Sequence, residues 1–247
     1  MIKQTDSLQS YVKQVTAAIG FDVPLETSSD RFVWKGAASH TPPQRRSPLS
    51  DRFKRKTVAP SLVLSAACIF IAARRLMARC EVKPTVQIAE ALFGFGVNPA
   101  FFNMDFEPVS LPRDTPELDA SRQLRVRVIR IIKTNADHGK MGSIPLLNVL
   151  PILAYTRQII GKSAHVEFDA WLANAIDELD ELDEDVKTGR RFGEFEDRAA
   201  WRAYVEQRFG EACPFEWLRT TEISNRNERI AEYLDSLSFE TNPFLKR

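Results

Sequence analysis

Cationic side chains gather at three places along this chain. Arg45, Arg46, Arg52, Lys54, Arg55 and Lys56 share one stretch with Phe53 among them; Arg74, Arg75 and Arg79 follow an apolar run; Arg122, Arg125, Arg127, Arg130 and Lys133 occupy a segment of helical periodicity. A row of guanidinium groups suits a phosphate backbone, because each contact releases condensed counterions and arginine can hold an oxyanion through two N–H groups. The ring of Phe53 would add a surface on which a base stacks. At about 100° per residue, Arg122, Arg130 and Lys133 fall within about 80° of one another, opposite Leu124, Val128 and Ile131. One face of that helix is therefore cationic and the other apolar. Arg74, Arg75 and Arg79 need no ligand, since the end of a helix favours cations through its dipole.

Catalytic and metal-binding patterns are sparse by comparison. Gly139-Lys140-Met141-Gly142-Ser143 lacks the upstream glycine and the Gly-Lys-Ser order of a phosphate-binding loop, and Gly94-Phe95-Gly96 lacks the third glycine of a dinucleotide site. His40, His138 and His165 stand apart, with no second histidine or cysteine at ligand spacing, so no metal or cofactor is expected. Glu81-Val82-Lys83 and Asp185-Val186-Lys187 match the acid-x-lysine fragment of magnesium nucleases, but neither lies in a strand. Asp137-His138 beside Lys140 is the nearest approach to an acid–base pair, in a turn between helices. Cys68, Cys80 and Cys213 are odd in number and widely spaced, which fits a reducing compartment. The first residues, Met1-Ile2-Lys3-Gln4-Thr5-Asp6, lack the apolar core of a signal peptide, so an intracellular, cytoplasmic protein is expected.

The net charge of +1 conceals a polarity. Residues 1–140 hold 21 Lys and Arg against 13 Asp and Glu, whereas residues 141–247 hold 13 against 20. A basic half favours an anionic partner, and opposite halves favour association between copies of the chain. The run Asp177 to Asp185 is the densest acidic segment, a solvated helix face or a dock for the basic arm of a second copy.

These residues must be carried by a largely helical scaffold. The chain has 247 residues, 44% of them hydrophobic, enough to bury a core. Leu62 to Ala73 is apolar but shorter than the roughly 20 residues a bilayer needs, so a buried helix from Ser61 to about Cys80, and no membrane partner, is expected. Asp6 and Gly20 bracket a helix over Ser7–Ile19, and Pro84 opens one that Gly94 should close. Thr115-Pro116-Glu117 places a cap, a proline and an acid at the start of a helix reaching about Lys133. Helices are further expected over Ile144–Ile160 with a kink at Pro151, over Val166–Lys187, and in three more segments to Leu237. Residues 21–35 suit two extended pieces joined by a turn, a small hairpin.

The segment Ala66-Ala67-Cys68-Ile69-Phe70-Ile71-Ala72-Ala73-Arg74, followed by Gln87-Ile88-Ala89-Glu90, resembles the central helices of cyclin-box and transcription-factor-IIB-like repeats. The resemblance spans about thirty residues, rests on small and apolar core positions, has no second copy, and carries no function with it.

The expected fold is all-α, a two-lobed bundle of about eight or nine helices. Its parts would be an N-terminal helix and hairpin over 1–35, a basic arm over 36–60, a basic lobe over 61–138 and an acidic lobe over 139–247. The expected function is non-enzymatic binding of a nucleic-acid backbone, single-stranded RNA ahead of DNA, by a homo-oligomer or a nucleocapsid-like ribonucleoprotein subunit. Its contacts would be Arg45, Arg46, Arg52, Phe53, Lys54, Arg55, Arg122, Arg125, Arg127, Arg130 and Lys133. Two alternatives stand beside it: a protein–protein adaptor anchored by Phe93, Phe95, Phe101, Phe102 and Phe106, and a helical enzyme using Asp137 and His138.

Overall fold

A computed structural model describes residues 2–21, 32–36, 52, 57–106, 115–136, 144–180, 192–220, 224–237 and 239–247. Eight α-helices lie among them: α1 (Ile2–Ile19), α2 (Val58–Leu76), α3 (Lys83–Val97), α4 (Pro116–Ala136), α5 (Ile144–Ile160), α6 (His165–Asp180), α7 (Arg198–Phe209) and α8 (Arg226–Ser236). Single 3-10 turns cover Pro99–Phe101, Lys162–Ala164, Phe192–Glu194 and Phe215–Leu218. No strand occurs among the described residues, only an isolated antiparallel bridge between Phe102 and Leu245. The all-α expectation holds. Residues 32–36 are coil, and the rest of the expected hairpin lies outside the described residues.

Helix α2 is the axis of the molecule, with α1, α3, α5 and the turn Phe215–Leu218 packed around it. Every residue of α2 except Arg74 is buried. Small residues on all sides, Ala59, Ser61, Ser65, Ala66, Ala67, Ala72 and Ala73, let neighbouring helices approach closely. The buried hydroxyls stay satisfied inside the helix, Ser61 donating to the Thr57 carbonyl (3.0 Å) and Ser65 to that of Ser61 (2.8 Å). Among the described residues α2 is the one helix long and apolar enough to cross a membrane, yet 94% of that span is buried inside the protein. Its surroundings are those of a core helix. Helix α5 lies beyond residue 139 but packs on α2 and α4, so one core runs across the boundary expected between the lobes.

Local signals account for several helix ends. Gly20 closes α1 at φ +78°, and a Cβ there would stand 2.0 Å from Cδ of Arg219, so the position requires glycine for both backbone and space. Asp197 caps α7 by accepting from the Ala200 N–H (2.8 Å). Gly94 does not end α3. The helix continues through Gly94 and Gly96 to Val97, and these glycines instead admit the side chains of Leu245, Leu237 and Leu62 against the helix. Helix α6 begins at His165 and is described as far as Asp180, short of the expected Lys187.

The C-terminal segment closes the bundle by clasping α3 and the turn after it. Lys246 N–H donates to the Phe101 carbonyl (2.8 Å) and Asn103 N–H to that of Phe244 (2.9 Å), while Gln87 Nε2 donates to the Thr241 carbonyl (3.1 Å). Phe95, Phe102, Phe106 and Phe244 stack edge to face in series beneath this strap. Phe93, Phe95, Phe102 and Phe106 are all buried and Phe101 is half-buried against Phe239. These rings belong to the chain's own core, which leaves the adaptor reading without its anchors.

Candidate functional site

Helix α4 brings together the cations that can be placed. Between Ala120 and Ala136 it carries five of them and no carboxylate, while both its acids, Glu117 and Asp119, lie in the first turn. Packing against α5 and α3 buries Ala120, Leu124, Val128, Ile131 and Ile132. The helical period then sorts the cations by their environment. Arg130 and Lys133 are exposed and form no ion pair among the described residues. The Lys133 ammonium rests 5.9 Å above the Phe106 ring. Arg127 is half-buried, its guanidinium over Tyr155 (5.8 Å) and donating to that hydroxyl (3.2 Å). Arg122 turns back to Asp119 (2.8 Å), whose other oxygen accepts from Trp34 Nε1 (2.7 Å).

Arg125 differs from the others. It is only 6% exposed, lies over the Phe244 ring at 5.6 Å, and its Nε and one terminal nitrogen have no hydrogen-bond partner. Burial without a counter-charge lowers its pKa. It cannot reach a phosphate without moving Phe244.

In the arm, Arg52 is described, and it is already engaged. Its guanidinium bridges Asp177 and Asp180 on α6 of the same chain. The attraction expected between arm and acidic helix of different copies is thus met within one chain at this residue. Arg45, Arg46, Phe53, Lys54 and Arg55 lie outside the described residues, as do His40, Asp137 and His138. His165 heads α6, and burial together with the nearby Arg157 charge lowers its pKa. Among the described residues, no three His, Cys, Asp or Glu side chains gather to hold a metal ion. Burial also raises the thiol pKa values, to about 11 at Cys80 and about 12 at Cys213, so neither is a thiolate near neutrality.

Sequence reasoning missed a second polar cluster. Glu90, on α3, is 3% exposed; its Oε2 accepts from Asn242 Nδ2 (2.8 Å) and its carboxylate from the Tyr11 hydroxyl. The same Asn242 amide also donates to the Gln87 carbonyl (2.8 Å), so α1, α3 and the C-terminal strap meet at one carboxyl group. Burial pushes the Glu90 pKa up to about 7, although both hydrogen bonds oppose the rise. The visible signal was a lone acid in the otherwise apolar run Ile88 to Val97.

Beyond Tyr11 the surface opens into a cleft of about 250 Å³ between α1 and α8, lined by Tyr11, Val15, Glu216, Arg229, Glu232 and Tyr233 among others. Tyr233 donates to Glu216 Oε1 (3.0 Å), and Arg229 pairs with Glu232 (2.7 Å). The rings of Phe70, Phe93, Tyr233 and the turn residue Phe215 pack together beneath, which fixes the position of Glu216.

Comparison with known proteins adds no relative to this geometry: no family model, no curated protein and no solved structure matches the chain.

Proposed function

We propose that the protein is a non-catalytic binding protein whose α4 ridge, formed by Arg122, Arg127, Arg130 and Lys133, holds the phosphate backbone of a nucleic acid, single-stranded RNA in the first place. One observation carries the reading: α4 has no carboxylate after Asp119, and its Arg130 and Lys133 are exposed and form no ion pair among the described residues, beside the half-buried Arg122 and Arg127. Ionic self-neutralisation would remove such a charge imbalance from an ordinary solvated helix face. Arginine and lysine spaced along a rigid rod instead meet successive phosphates, each contact releasing counterions. The exposed Lys133 and Arg130 sit at the end of the helix that leads towards residues 137–143, and the arm residues Arg45, Arg46, Phe53, Lys54 and Arg55 would close over the strand. Arg125 and Arg52 drop out of the contact set, the first because it is buried and the second because α6 holds it. Assembly into a larger, nucleocapsid-like particle would then depend on the strand itself, since Arg52 finds its carboxylates within its own chain.

Fluorescence anisotropy with a labelled single-stranded RNA, and with duplex DNA as competitor, tests the reading. Binding at low salt that weakens when Arg127, Arg130 and Lys133 are replaced by alanine is the expected outcome. No binding at low salt, or binding indifferent to those replacements, rules it out.

A further inference from the structure

The strap of residues 239–247 is fastened by few side chains. Asn242, Phe244 and Leu245 are buried, and its other six residues are half-buried or exposed. Each buried residue covers a different feature of the bundle. Leu245 lies against Gly94 of α3, where a Cβ would stand 3.2 Å from its Cδ2, and Phe244 covers the Arg125 guanidinium of α4 at 5.6 Å. Asn242 donates both to Glu90 and to the Gln87 carbonyl. It also organises the strap itself, its Oδ1 accepting from the Phe244 N–H (3.0 Å) and its carbonyl from the Leu245 N–H (3.1 Å). The residue that positions the Phe244 ring is therefore the one that binds the buried carboxyl group.

We propose that the strap is a proton-operated lid, closed over Arg125 while Glu90 is neutral and released when Glu90 ionises. Glu90 is 3% exposed, and no cation acts on it among the described residues. The Tyr11 hydroxyl from α1 and the Asn242 amide from the strap are its hydrogen-bond partners. Tyr233 and Ser236 of α8 act on Tyr11, and Glu216 of the Phe215–Leu218 turn acts on Tyr233; burial holds both phenols neutral. Two neutral donors do not offset the desolvation of a full charge, so an ionised Glu90 gains by reaching water. Gln87 and Gly94, three residues before Glu90 and four after it, share its face of α3, and the strap lies along that face. Lifting the strap therefore uncovers Glu90 without moving a helix. The opening costs the burial of Phe244 and Leu245 and the bonds from Lys246 to Phe101 and from Asn103 to Phe244, much less than unfolding the core. Its direction follows from a Glu90 pKa of about 7 under the strap against 4.5 in water: opening is rarest below pH 4.5, grows up to pH 7 and levels off above it. An open strap adds Arg125 to the α4 ridge; that consequence rests on the ridge reading, whereas the lid and its latch do not.

Amide hydrogen exchange of the full chain tests the latch, followed by NMR from pH 5 to 8 with each rate divided by that of a free amide at the same pH. The Lys246 and Asn103 N–H groups, which bridge the strap and the turn after α3, report on opening. Both should be less protected than the amides of α2, and their protection should fall by about tenfold or more between pH 5 and 8. Glu90→Gln should make it independent of pH; if that variant does not fold, the profile of the unsubstituted chain carries the test. Labelling with an arginine-directed dicarbonyl at pH 8 tests the lid. Relative to the exposed Arg130, Arg125 should react several-fold faster in Asn242→Ala than in the unsubstituted chain. Strap amides that exchange only together with those of α2, protection that does not change with pH, or a change that Glu90→Gln leaves intact overturns the proposal. So does an Arg125 that stays shielded in Asn242→Ala while the strap amides lose protection. RNA enters none of these readouts, so failure of the ridge reading does not affect them.

Discussion

On α4 Arg130 and Lys133 face water, whereas at the junction of α1, α3 and the C-terminal strap the charge of Glu90 is sealed in the core and tied by hydrogen bonds to two distant segments. The contrast separates two uses of charge. A buried carboxyl group is part of the fold, and its protonation is coupled to stability. An exposed ridge contributes little to stability and remains available to a ligand. Salt should act strongly on the ridge and pH on the buried cluster, so each region can be perturbed with the other as its control.

The largest effect is expected at the strap. Asn242→Ala removes the donor that serves both Glu90 and the Gln87 carbonyl and should cost about 3 kcal/mol at pH 8, read as a lowered denaturant midpoint. At pH 5, where Glu90 is protonated, the loss should be smaller. A comparable effect follows from Glu90 itself. Its pKa is raised from the ordinary 4.5 to about 7, so the folded state binds a proton more tightly than the unfolded chain. The stabilisation is complete below pH 4.5 and disappears as pH rises through 7, a change of about 3 kcal/mol at about 1.4 kcal/mol per unit. Glu90→Gln should flatten this part of the stability–pH profile; an unchanged profile would mean that Glu90 is not the titrating group.

Effects on the ridge should be smaller and of another kind. Arg130→Ala with Lys133→Ala should weaken RNA binding by about 1 to 2 kcal/mol at low salt and leave the melting temperature unchanged. The smallest effect is expected one and a half turns away. Arg125→Met should leave RNA affinity unaltered and stability equal or slightly higher, because an apolar chain replaces a guanidinium that lacks full hydrogen bonding. A loss of RNA binding in that variant would mean that the Phe244 lid over Arg125 opens.

Much of the scaffold was legible because its helix signals are local. Pro116, Pro84 and Gly20 mark ends that a short stretch of chain determines by itself, and the period of Leu124, Val128 and Ile131 reveals the buried face of α4. Gly94 misled because a glycine that ends a helix and a glycine that admits a neighbouring leucine look alike until the neighbour is in place. Arg125 looked like its fellows for the same reason, since only the returning strap puts Phe244 over it. The polar cluster and the cleft were not legible. Glu90 meets Asn242 across 152 residues of sequence, and Tyr11 lies on a third element, so no spacing rule links them. The cleft likewise depends on α1, the Phe215–Leu218 turn and α8 meeting in space.

The ridge is most directly tested by the salt dependence of RNA binding. The four α4 cations should contribute about 3 to the magnitude of the log–log slope, and removing Arg127, Arg130 and Lys133 should lower that magnitude by about 2. A slope that those replacements leave unchanged would show that α4 is not where the strand lies.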